Sequence, residues 1–263
     1  MNKQLLLCGV LAILFLSCSG SKEAGTDGEL KGPPKPITSA FKMLSINLAH
    51  GLQDRTDVKK FADWIKTTGA EVVAVQQIER ATESKPGFDA YEELFKKLDM
   101  RGTFAKARYY KGWDSGNALF CMYPMMQSNV YALPVGKGKV RRSLSFAVFE
   151  LGLKSVAFAS TDLDDEDQSE RMKQIREIFS IQKSMEEYPI VVAGNFGESV
   201  KGKASATMLE KYASTNTTSD QLSTAEQHVF VPLEKKMNIL SAEKVVYKPL
   251  NQTAVLVTVE VVQ

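Results

Sequence analysis

Cysteine, histidine and net charge are all in short supply in this chain. Three cysteines among 263 residues exclude a disulfide framework. The 33 Lys and Arg nearly cancel the 31 Asp and Glu. So small an imbalance gives no field for non-specific nucleic-acid binding. The apolar run Leu5 to Leu16 spans a dozen residues, short of the ~20 needed to cross a bilayer. No internal repeat is present, which sets repeat architectures aside. What remains, 44% hydrophobic and 24% charged residues, is the mix of an ordinary globular protein. The length allows one large domain or two small ones, each able to bury a core.

The N-terminus reads as targeting information. A short basic start, Met1 to Gln4, precedes the apolar run, which suits the h-region of a secretory signal. Phe15-Leu16-Ser17-Cys18 closes it and resembles a bacterial lipoprotein signal, with Leu16 bulkier than is usual there. That resemblance makes residues 1–17 a signal peptide and Cys18 the lipid-carrying first residue of the mature chain. An ordinary signal cleaved nearby is the alternative, and either exports the protein. Export removes Cys8 and leaves Cys121 as the free thiol, so neither an intrachain disulfide nor a cysteine metal site can form. Cys121 lies in the apolar stretch Ala118 to Met122 and is expected to be buried and structural. Residues 18–40, rich in Ser, Gly, Lys and Glu around Gly32-Pro33-Pro34-Lys35-Pro36, read as a tether holding a domain off a membrane.

Residues 41–263 read as one domain. Phe41 to Leu48 alternates as a strand. Val58, Phe61, Ala62 and Ile65, with Asp57 before them and Gly69 after, form one face of a helix. Val72 to Val75 suits a strand buried on both faces. Further strands are expected at Ala118–Met122, Ser145–Leu151, Val156–Ser160, Ile190–Ala193, His228–Val231, Lys244–Tyr247 and Thr253–Val261. Asp167 to Met185 is the longest helical stretch, with Met172, Ile175, Ile178, Phe179 and Gln182 on one face. Strands interleaved with helices indicate a mixed α and β domain.

A series of short motifs, in order, then resembles the endonuclease/exonuclease/phosphatase family. Ser45-Ile46-Asn47-Leu48 is similar to the family's first strand, and Ala74 to Ile78 to the strand ending Gln-Glu. Gly116-Asn117-Ala118-Leu119 with Tyr123-Pro124 matches a Gly-Asn-Ala strand and its turn. Ser160-Thr161-Asp162-Leu163 stands where Asn-Thr-His-Leu is usual, followed by Arg171 and Gln174 of an Arg-x-x-Gln helix. Gly194-Asn195-Phe196-Gly197 resembles Gly-Asp-Phe-Asn, Gln227-His228-Val229-Phe230 resembles Asp-His-Ile-Phe, and Asn251-Gln252 falls at Asp-His. The resemblance implies an α+β fold, a four-layer α/β/β/α sandwich of two mixed β-sheets flanked by helices.

It also implies a magnesium-dependent phosphoesterase, and here the side chains disagree. The family's carboxylates and base stand as Gln77, Asn195, Gln227, Asn251 and Gln252, and its strand-end histidine as Asp162. Of the polar groups expected at the chemistry, Asn47 alone is kept. An amide keeps an acid's shape but carries no charge and accepts no proton near neutral pH. Magnesium is normally held through one or two protein carboxylates. General acid–base help is worth ~10²–10⁴-fold in rate, and both candidate bases are gone. Asp162 adds a charge that repels a phosphoryl anion, by about 4 kcal/mol at 4 Å and an effective dielectric of 20.

The expectation is a pseudoenzyme, a binding or scaffold module for a glycan, a polyanion or a protein partner, needing no cofactor and monomeric. The alternative is a magnesium-dependent phosphoesterase with a rearranged site built on Glu79, Asp162 or Asp164. Glu79 shares the parity of Gln77 if the strand runs straight through both. The run Asp162 to Asp167 could bind a hard cation, but acids before a helix more often favour its dipole. Lys137, Lys139, Arg141 and Arg142 are expected on a solvated hairpin tip. His50 and His228 are weak candidates for a base, and Arg171 and Gln174 are expected to brace a helix against the sheet.

Overall fold

The computed structural model describes residues 40–152, 154–235 and 237–262. The expected signal peptide, Cys18 and the expected tether up to residue 39 lie outside the described residues, and Ala40, expected to end the tether, opens the first strand. Twelve strands form two sheets of six. In chain order the first sheet takes β1 (Ala40–Asn47), β2 (Val72–Arg80), β3 (Arg101–Tyr110), β4 (Trp113–Cys121), β11 (Met237–Tyr247) and β12 (Gln252–Val261). Their order across the sheet is β11-β12-β1-β2-β4-β3. The second takes β5 (Met125–Ala132), β6 (Ser143–Glu150), β7 (Ser155–Asp162), β8 (Ile190–Asn195), β9 (Tyr212–Ser214) and β10 (Gln227–Pro232). Across it the order is β5-β6-β7-β8-β10-β9.

Each sheet holds one parallel pair, β1 with β2 and β7 with β8, and is otherwise antiparallel. A parallel pair needs a crossover, and a helix supplies it. In the first sheet this is α1 (Arg55–Thr68), with Asp54 accepting from the backbone N–H of Thr56 and Asp57 and Gly69 ending it at φ +69°. In the second it is α3 (Gln168–Ser184), capped by Asp167. Both caps satisfy amides that the first turn leaves open.

Three apolar layers hold the sandwich together. Val58, Phe61, Ala62 and Ile65 of α1, with α2 (Ala90–Leu98), cover the outer face of the first sheet. Ile175, Ile178 and Ile181 of α3 cover the second. Between the sheets lie Phe41, Met43, Phe149, Phe158, Val191 and Val257. This is the four-layer architecture the motifs imply.

The expected strands are present at their positions, and most extend further along the chain. The pattern missed α2, β3, β5, β9 and most of β11. Strands β5 and β11 lie at sheet edges and β3 closes the first sheet, where half-open faces blur the alternation. Helix α3 is also turned from the expected face. Its buried side is Arg171, Gln174, Ile175, Ile178 and Ile181, so Met172 and Phe179 lie at the margin.

Candidate functional site

Alternate residues along each central strand face the opposite sheet, and their character changes along the strand. In β1 they run Phe41, Met43, Ser45, Asn47; in β7, Val156, Phe158, Ser160, Asp162; in β8, Val191, Ala193, Asn195. The layer is oily where these strands begin and polar where they end, which is where open α/β sheets place their ligands.

Gly194 brings β8 close enough to align these ends. Its φ is +156°, and a methyl group there would fall 1.8 Å from the carbonyl oxygen of Thr161. Asn195 is thereby set beside both Asp162 and Gln227. Gln77 is placed by another device. The pairing of β2 with β4 skips a step between Gln76 and Ile78, and Gln77 takes φ +53°. Such a bulge re-aims a side chain. Gln77 turns to the cleft, while Gln76 stays buried between the sheets.

The buried amides tie the two sheets together. Gln76 donates to Ser160 Oγ at 2.9 Å. Gln227 Nε2 donates to Gln76 Oε1 at 2.7 Å and to Ser45 Oγ. Above them opens a cleft of about 570 Å³ lined by Asn47, Gln77, Asn195, Gln227, Asn251 and Gln252, with Gln221, Thr224, Thr253, Lys244 and Glu226 around its rim. The amide positions the motifs singled out therefore converge on one cavity.

Asp162 lies behind this wall, 5% exposed. Gln77 Nε2 donates to its Oδ2 at 3.1 Å and Asn47 Nδ2 to its Oδ1 at 3.3 Å. The guanidinium of Arg142, itself 5% exposed, pairs with the same Oδ2 and reaches Asp165 at 2.7 Å. Burial pushes the Asp162 pKa up, while Arg142 and the Gln77 amide pull against that rise. This corrects the expectation for Arg142: it is a buried counter-charge, and Lys139 alone of that cluster engages the helix cap, Asp167, at 3.1 Å. No feature of the sequence separates Arg142 from Arg141. The signal was Asp162, since a carboxylate at a buried strand end calls for a cation nearby.

The other two acids that the sequence offered, Glu79 and Asp164, are committed elsewhere. Strand β2 does continue through Glu79, but the bulge breaks its parity with Gln77. Glu79 instead meets His50 Nδ1 at 3.2 Å, away from the residues lining the cleft. Arg108 approaches His50 Nε2 at 3.1 Å, and Tyr110 stacks on the ring. As the guanidinium can only donate, Nε2 accepts and the proton sits on Nδ1, facing Glu79. This His50–Glu79–Arg108 cluster was not foreseen as a unit. Asp164 Oδ1 accepts the backbone N–H of Glu166 and Asp167, and Arg171 and Gln174 pin the same loop through Asp164. His228 packs between Phe196 and Phe230, and burial lowers its pKa to about 4. Cys121 is fully buried.

This donor set does not suit magnesium. The cleft offers amides and a single carboxylate, Glu226, and the acid behind its wall is held by an arginine. Among the described residues, no three His, Cys, Asp or Glu side chains group as metal ligands.

No family model matches the sequence, and no curated protein matches it. Solved structures do. An endonuclease/exonuclease/phosphatase from Bacteroides vulgatus superposes with TM-score 0.67 at 14% identity, over 85% of this chain and 99% of its own. The catalytic domain of human Nocturnin gives 0.69 at 14%, over 85% and 94%. A mannosyl-6-phosphatase from Bacteroides thetaiotaomicron gives 0.64 at 12%, over 83% and 99%. Identities this low speak to architecture, and on that level the result is plain: the chain has the fold of the endonuclease/exonuclease/phosphatase proteins.

Proposed function

We propose that this domain keeps the phosphoesterase scaffold without its chemistry and works as an exported, lipid-anchored binding module. One observation carries the reading. The carboxylate standing among the family-equivalent positions, Asp162, is consumed by Arg142, Gln77 and Asn47. An acid bound to an arginine and two amides is a poor ligand for a dication and a poor base. The amides at 195, 227, 251 and 252 cannot take a proton from water either. Glu79 is no substitute, since His50 and the bulge at Gln77 hold it elsewhere.

The test is direct. Purified protein with bis(p-nitrophenyl) phosphate and millimolar magnesium or manganese should release no nitrophenolate above the metal-containing buffer. Turnover that disappears in Asp162→Ala or Glu79→Ala overturns the proposal. Anchoring is tested separately, by labelled palmitate in the expressing cell: incorporation should be lost in Cys18→Ser, and a wild-type chain without label refutes the lipid anchor.

A further inference from the structure

We infer that the cleft takes a neutral, hydroxyl-rich ligand, a saccharide, and discriminates against phosphorylated ones. This rests on the reading above and names the ligand class. The wall groups are amides, each able to donate and accept, as each sugar hydroxyl does. Many of those groups are uncommitted. Gln77 and Gln227 use Nε2 on internal acceptors and keep Oε1 for the cleft. Asn195 uses Oδ1 on the backbone of Gly197 and keeps Nδ2. Asn251 and Gln252 line the cleft with their side chains free of other hydrogen bonds among the described residues.

Charge points the same way. Lys244 and Glu226 both line the cleft, so its formal side-chain charge sums to zero. The guanidinium that could meet a phosphate, that of Arg142, is buried and spends itself on Asp162 and Asp165. A phosphoryl group entering the cleft would meet one cation, Lys244, offset by Glu226, and behind the amide wall a carboxylate. An apolar ligand fares no better, because no aromatic ring lines the cleft. At about 570 Å³ the space is within the usual range of ~300–1,000 Å³ for small-ligand sites. Two wall residues, Gln77 and Asn251, hold left-handed backbone at φ +53° and +50°. Backbone held in such sparsely populated conformations concentrates at ligand sites.

The probe is a glycan array of matched pairs, each neutral oligosaccharide printed beside its phosphomonoester, read with the full-length chain in detergent. Neutral members should be retained over their phosphorylated partners. Asn251→Gly, which keeps the left-handed backbone, and Gln252→Ala should each weaken retention about tenfold, the loss of one neutral hydrogen bond, with the melting temperature unchanged. Preference for the phosphorylated members, retention of none, or binding indifferent to both variants overturns the inference. The nitrophenyl phosphate assay keeps the two readings apart. Silence there with no neutral glycan retained sinks the saccharide alone, whereas metal-dependent turnover sinks the binding-module reading itself.

Discussion

The space between the sheets has two ends that were built on opposite terms. Where the central strands begin, Phe41, Phe158 and Phe149 pack ring on ring, with centroids 5.1 and 5.9 Å apart. Where they end, Ser45, Gln76, Ser160 and Gln227 are equally buried but held by directed hydrogen bonds, with the Asp162–Arg142 pair beside them. The oily end accounts for folding. The polar end does not need to be polar for that purpose, since well-packed apolar groups often serve as well as a buried ion pair. Its polarity is better understood as something the fold tolerates for the sake of the cleft above it.

That contrast can be broken by substitution. Arg142→Met should cost about 3–5 kcal/mol in urea unfolding, because Asp162 stays buried without its counter-charge. Adding Asp162→Leu to it should recover most of the loss. No recovery would mean that the pair is worth far more than the apolar groups replacing it. Phe158→Ala should cost a similar ~3–5 kcal/mol by opening a cavity, and no second substitution at the polar end should relieve it.

A somewhat smaller effect comes from acid. His228 is neutral in the fold down to about pH 4, whereas in the unfolded chain it takes a proton near pH 6.5. The unfolded state therefore binds more protons in that window. Stability is full above pH 6.5 and falls by about 3 kcal/mol as the pH drops to 4. His228→Phe should flatten that part of the profile; an unchanged slope would place its origin elsewhere. The smallest effect belongs to Ser160→Ala, about 1 kcal/mol for the one neutral bond it accepts from Gln76. A loss as large as that from Phe158→Ala would show the two ends to be equally structural.

Much of this was legible from the chain alone. Alternation in β1 and β7 and the face of α1 follow from side-chain period, and the ordered motifs placed Gln77, Asn195, Gln227, Asn251 and Gln252 before any coordinates did. What escaped was whatever depends on a partner distant in sequence. Arg142 looks like its solvated neighbours until β6 and β7 set it against Asp162, twenty residues on. Glu79 looked like a stand-in for Gln77 because a bulge has no reliable sequence mark, and the bulge hands it to His50 instead. Edge strands such as β5 escaped because solvent on both sides erases the pattern that betrays a buried strand.

The bend at Gln77 has an evolutionary corollary. Its torsion and the skipped rung beside it belong to the main chain, which is blind to whether an amide or an acid follows. Gln to Glu and Asn to Asp are single-base changes, so nothing in the scaffold bars a descendant from carrying charge at 77 or 195. The obstacle is the couple behind them. A lineage using Asp162 to hold a dication would first have to dissolve its bond to Arg142, and each half-step leaves one charge stranded in a dry interior. Acid at 77 or 195 is thus one letter away, whereas freeing Asp162 takes two coupled changes.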